Sequence, residues 1–129
     1  MRLPLSLALF VLALLACDLE RSMGFIELTD EVYVEEFQVE SGYELTWRVQ
    51  APFRCDFRAT LTSSHPKAAR DSVFIWGGQP VDGQDCYGCT GAIVEGLSID
   101  LKPGVQAVTV MGGDDYPAEL RFEPISCTR

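Results

Sequence analysis

Apolar and polar residues alternate with a period of two along much of the chain from Phe25 onward. Tyr43, Leu45, Trp47 and Val49 alternate with Glu44, Thr46, Arg48 and Gln50. Phe53, Cys55, Phe57, Ala59 and Leu61 alternate in the same way with Arg54, Asp56, Arg58, Thr60 and Thr62. Successive side chains of a strand point to opposite faces, so both runs predict half-buried antiparallel strands. Pro52 separates them without changing parity, which predicts a tight connection or a bend in one long edge strand. Val32-Tyr33-Val34 and Phe37-Gln38-Val39 also read as extended, with a bulge or bend where Glu35-Glu36 breaks the alternation. Val73 to Trp76 is apolar throughout, the pattern of a strand buried on both faces. Leu97-Ser98-Ile99-Asp100-Leu101 alternates again, Lys102-Pro103-Gly104 turns the chain, and Val105 to Met111 follows. Gly112 to Pro117 is another turn signal, and Ala118 to Glu123 closes the series with Leu120 and Phe122 inward. Lys67-Ala68-Ala69-Arg70 is the one helix-leaning stretch, about a single turn long. About seven to nine short strands at near-regular spacing predict an all-β antiparallel sandwich.

The N-terminal pattern is different. Leu3 to Ala16 is uncharged, almost wholly apolar, and preceded by a single cation, Arg2. Its length suits the hydrophobic region of a secretory signal and is too short to cross a bilayer core of roughly 30 Å as a helix. Leu14-Leu15-Ala16-Cys17, which closes the run, resembles the lipobox of bacterial lipoprotein precursors. The resemblance covers residues 1–17 and implies a processing class: diacylglycerol on the Cys17 thiol, cleavage before Cys17, and acylation of the new N-terminus. It divides the chain into a signal peptide at 1–16, a lipidated tether at 17–24 and a sandwich domain at 25–129. The tether residues Asp18 to Gly24 are polar and aperiodic, and reach at most about 25 Å when extended. The implied location is the bacterial cell envelope, periplasmic or on the outer surface, with the membrane as a partner through Cys17.

Composition sharpens this picture. The chain carries 10 Lys+Arg against 19 Asp+Glu, a net charge of −9. Loss of residues 1–16 removes Arg2 and leaves −10. Such a balance argues against nucleic acid, whose binding depends on neutralising phosphates, and against polybasic attachment to anionic headgroups. It suits a soluble, self-repelling surface, or a basic partner. Of the five cysteines, assigning Cys17 to lipid leaves Cys55, Cys86, Cys89 and Cys127. An even number in an oxidising compartment predicts two disulfides. The favoured pairing is a local Cys86–Cys89 clip, turned by Gly88, with Cys55–Cys127 as the long tie that pins the chain's end. Pairing Cys86 or Cys89 with Cys55, and the other with Cys127, is the alternative.

Two short pieces are similar to immunoglobulin-like and fibronectin type III domains. Tyr43-Glu44-Leu45-Thr46-Trp47 resembles their early strand with a core Trp. Leu101-Lys102-Pro103-Gly104 followed by Val108-Thr109-Val110 resembles their corner into a late strand. The resemblance implies an immunoglobulin-like architecture and carries no binding residues.

Candidate chemistry is sparse. Cys86-Tyr87-Gly88-Cys89 has the spacing of a thiol–disulfide active site, but no helix follows to lower a thiol pKa, and Asp85 opposes thiolate formation. A structural disulfide is the stronger reading. One C-x-x-C with two distant cysteines does not make a zinc ribbon, and the lone His65 reads as a loop residue. Asp82-Gly83-Gln84-Asp85 and Asp114-Asp115 fit turn chemistry better than a calcium loop. Trp76, Tyr87 and Tyr116 flank loops as aromatics for a recognition surface, with the core the stronger placement for Trp76. The expected function is a membrane-anchored lipoprotein, not an enzyme. Its sandwich serves as a binding or structural accessory toward an envelope protein or glycan, with no cofactor and no bound metal. The alternatives are a thiol oxidoreductase using Cys86 and Cys89, and a solute- or metal-binding lipoprotein.

Overall fold

The computed structural model describes residues 19–77, 79–80 and 89–128. It is an all-β sandwich with ten strands among these residues. They are β1 (Leu19–Glu27), β2 (Tyr33–Val39), β3 (Tyr43–Ala51), β4 (Cys55–Thr62), β5 (Val73–Trp76), β6 (Gln79–Pro80), β7 (Cys89–Gly91), β8 (Leu97–Leu101), β9 (Gly104–Met111) and β10 (Tyr116–Cys127). One sheet has the order β1-β3-β9-β5-β7 and the other β2-β10-β4-β8-β6. A 3-10 turn at Pro66–Ala69 occupies the helix-leaning stretch, with His65 as its N-cap.

Each strand lies in the opposite sheet from the strand before it. The chain pairs with itself as a folded ribbon, in which β2 meets β10, β3 meets β9, β4 meets β8 and β5 meets β7, all antiparallel. The ribbon then rolls up so that β9 also pairs with β5 and β10 with β4. This is jelly-roll connectivity. It replaces the immunoglobulin-like arrangement expected from Trp47 and the Pro103 corner, in which some consecutive strands share a sheet. Those two local pieces are compatible with either wiring, because they describe strands and a turn without naming strand partners.

The inward positions of the alternating runs form the core. Leu45, Trp47 and Val49 from β3 face Phe57 and Leu61 of β4 and Leu120 and Phe122 of β10, all essentially without solvent contact. Phe37 meets Trp47 edge-on, with ring centres 4.8 Å apart, a favourable aromatic geometry. Trp47 Nε1 is the one buried side-chain polar atom without a hydrogen-bond partner among the described residues. Pro52 begins a tight turn closed by the Cys55 N–H donating to the Pro52 carbonyl at 3.1 Å. Parity survives across it because the chain simply passes from one sheet to the other.

Three expectations change. The segment 19–24, expected as part of a tether, belongs to β1, which pairs in parallel with β3 from Leu19–Tyr43 to Glu27–Gln50. Its bulge lies between Ser22 and Gly24. As an edge strand exposed over most of its length, β1 needs no hydrophobic alternation. The bulge expected at Glu35-Glu36 is absent, and β2 pairs with β10 in unbroken register from Tyr33 to Val39. Glu35 takes an inward-parity position on this edge strand and accepts a 2.9 Å hydrogen bond from Tyr33 Oη. Inward charge on an edge strand discourages pairing with another sheet. Finally, β5 is not buried on both faces: Val73 and Ile75 enter the core, whereas Phe74 is exposed and Trp76 half-buried on the outer face.

Cys55 and Cys127 form a disulfide across the β4–β10 pairing. The pairings that join Cys55 or Cys127 to Cys86 or Cys89 are thereby excluded. Cys86 lies outside the described residues, and so does the proposed Cys86–Cys89 clip. Cys89 begins β7 opposite Ile75.

Candidate functional site

The end of the sandwich where β9 turns into β10 is held by a polar network. Tyr116, expected as an exposed aromatic, is buried. Its hydroxyl donates to Asp71 Oδ2 at 2.7 Å, and the Gly113 N–H donates to both oxygens of the same carboxylate at 3.0 Å. Gly112 has no room for a side chain: a Cβ there would stand 2.6 Å from Val39 Cγ1 and 2.8 Å from Asp71 Oδ2. The ring of His65 stacks over Tyr116 at a centroid distance of 6.3 Å. His65 Nδ1 accepts from the Lys67 N–H at 3.2 Å, which leaves Nε2 to carry the proton of the neutral ring. Ser63 Oγ donates to the Pro117 carbonyl at 2.6 Å and accepts from the His65 N–H.

Asp114 and Asp115 are absorbed by the turn. Asp114 Oδ1 accepts from the Asp115 N–H at 2.8 Å and lies 3.6 Å from Lys67 Nζ, while Asp115 Oδ1 accepts from the Ser41 N–H. Turn stabilisation accounts for both carboxylates.

The phenol of Tyr116 is raised above its ordinary 10.0, first by burial and then by its hydrogen bond to Asp71. A folded pKa above the unfolded one means the unfolded chain gives up this proton first as pH rises. The stability involved is whole below about pH 10 and falls as pH climbs toward the folded value. Urea midpoints measured from pH 8 to pH 11 are expected to drop on the alkaline side, and Tyr116→Phe is expected to flatten that limb.

Beside this network, a groove of about 750 Å³ crosses the outer face of the second sheet. Gln38 and Pro117 form its floor at one end, and Glu36, Glu119 and Thr62 continue it along β2, β10 and β4. Ser64, His65 and Val94 wall it on the loop side. Glu36 and Glu119 sit directly opposite each other in the β2–β10 register. Neither has a hydrogen-bond or ion-pair partner among the described residues. Like charges directly opposite across a ladder are destabilising, and a cation between them relieves the repulsion. The register brings these two residues together from positions far apart in the chain. Sequence reading missed the pair because it depends on knowing that β2 neighbours β10. A separate aromatic feature lies on the other sheet, where Phe74 and Trp76 meet edge-on at 6.4 Å.

Of the residues named from sequence, Cys17, Asp82, Asp85, Cys86 and Tyr87 lie outside the described residues. His65 lines the groove, Trp76 is on the opposite sheet, and the Cys55–Cys127 bond is at the far end from the groove's His65 wall. Among the described residues, no group of three or more His, Cys, Asp or Glu is placed to hold a metal ion. No protein-family model matches this chain, and no curated protein matches it.

Proposed function

We propose that the chain is a bacterial lipoprotein, held in the cell envelope by diacylglycerol on Cys17, whose sandwich is a binding accessory to a neighbouring envelope protein. The Cys55–Cys127 bond carries the reading, because structural disulfides belong to oxidising compartments and this one ties the ends of two core strands. The Leu14-Leu15-Ala16-Cys17 motif supplies both the export route and the anchor. The groove supplies the recognition surface. Its unpaired Glu36 and Glu119 favour a partner that offers a Lys or Arg side chain, with His65 and Val94 against its apolar stem. Jelly rolls also serve as lectin domains, so a glycan is the competing occupant. Fold alone decides nothing between them. The second disulfide, Cys86–Cys89, belongs to this reading as a structural clip, against the thiol-oxidoreductase alternative.

The test combines fractionation with crosslinking in intact cells. Wild-type protein is expected in the membrane fraction and the Cys17→Ser variant in the soluble one. Glu36→Lys with Glu119→Lys is expected to lower recovery of a crosslinked partner about tenfold, the equivalent of about 1.4 kcal/mol. Unprocessed wild-type chain in the cytosol, with its thiols reduced, overturns the anchor and the compartment together. Thiol-reductase activity that disappears in a Cys86→Ser variant establishes the oxidoreductase instead.

A further inference from the structure

We propose that one end of the sandwich, the end carrying Leu19, Ser41 and Asp115, rests directly on phospholipid headgroups, with the Phe53 end turned away from the bilayer. This orientation rests on the lipidated Cys17 of the proposed function and goes beyond it. Between Cys17 and the first residue of β1 there is one residue, Asp18. Two Cα steps place the lipid-bearing Cα within about 8 Å of Leu19. That is comparable to the thickness of one headgroup layer, so the anchor leaves no stalk.

The start of β1 is fastened to the domain. The Leu19 N–H donates to the Gly42 carbonyl at 3.1 Å, and ladder pairing with β3 begins at that same residue. Arg21 reaches Glu40 through both carboxylate oxygens, at 2.7 and 2.6 Å, and its guanidinium lies 4.3 Å from the centre of the Tyr43 ring. Peeling β1 away to lengthen the connection would break all of these contacts. Whatever surface holds Cys17 therefore also meets the turn at Ser41 and, through the Ser41–Asp115 hydrogen bond of 2.9 Å, the β9–β10 turn. Leu19, 56% exposed at the point nearest the anchor, is an apolar side chain with a lipid interface beside it.

Phe53 marks the opposite end. It sits in the turn after β3, and it is 87% exposed. The length of β3 separates it from the Ser41 turn by roughly 26 Å at 3.3 Å per residue. The groove of Glu36, Glu119 and His65 opens on the side of the sandwich nearer the lipid, so its occupant must come close to the membrane surface.

A photo-crosslinking amino acid placed at Ser41, at Glu20 or at Phe53 tests the orientation in the full chain. The protein is purified from a lipidating host and reconstituted in phosphatidylcholine–phosphatidylglycerol vesicles, with the intact mass read at Cys17. Lipid adducts are expected at Ser41 and Glu20, several-fold above those at Phe53. A Gly-Ser insert of about twelve residues between Asp18 and Leu19 lengthens the connection some sevenfold. Effective concentration falls as roughly the three-halves power of length, so adducts at Ser41 should drop by about twentyfold. Equal or greater labelling at Phe53, or undiminished labelling at Ser41 with the insert, on protein whose mass carries lipid, overturns the orientation and leaves the lipoprotein reading standing. An unmodified Cys17 overturns both.

Discussion

Trp47→Ala is expected to remove a large share of the stability of the domain. The side chain is the largest of those wholly removed from solvent, and it lies midway along β3 with Phe37 packed edge-on against it. Truncating a buried Trp costs about 3–5 kcal/mol, because the transfer energy of the indole is lost and the cavity refills incompletely. A domain of this size is stable by about 5–15 kcal/mol in total. The midpoint of thermal unfolding should fall by about 20 °C. Trp47→Phe separates packing from polarity. It keeps an aromatic ring against Phe37 and removes the indole N–H, which has no partner among the described residues and whose burial unpaired costs about 1–3 kcal/mol. Its loss should be less than half that of Trp47→Ala, measured by urea unfolding followed by circular dichroism. Equal losses in the two variants would mean that the indole N–H is satisfied and that ring shape alone is not what matters.

The second large effect is expected on removing the disulfide. Cys55 and Cys127 are 72 residues apart in sequence. Cross-linking a loop of that length restricts the unfolded chain by about 4 kcal/mol at 25 °C. The bond closes the β4–β10 pairing at the point where β10 leaves the sandwich, with Cys55 buried and Cys127 exposed. Cys55→Ala with Cys127→Ala avoids stray thiols and should lower the unfolding free energy by about that amount. The same variant should keep its strand content below the transition, because the ladder from Phe57 to Thr62 against Glu119 to Pro124 does not depend on the bond. A loss below about 1 kcal/mol would show that β10 is held by its own pairing. Pulse proteolysis provides an independent reading.

The sandwich was legible wherever one strand face meets the core and the other meets water. β3 and β4 appear in the sequence as clean alternations because every second side chain is buried. β8 was legible to the residue for the same reason. β1 was not, because an edge strand whose faces are mostly wet has no apolar stripe to reveal it. Trp76 and Phe74 misled in the opposite sense: apolar side chains on an outer face look like a doubly buried strand. The wiring was hidden too. A period of two says that a residue is in a strand and which way it points, and nothing about its neighbour. The same gap concealed the candidate site, since Glu36 and Glu119 meet only through the β2–β10 register. Glu35 breaks the alternation because its charge falls at an inward position, which an edge strand tolerates and a central strand does not.

The rolled ribbon also dictates when this protein can become itself. Because β2 finds its partner in β10, Tyr33 waits for Phe122, and almost the whole polypeptide must emerge before the second sheet can be completed. Hairpins between neighbouring strands, the usual early steps of β folding, are denied by a path that changes sheets at each turn. Acquisition of the native state is then slow, on the order of milliseconds to seconds. A chain with these constraints closes only once its last strand is available to pair.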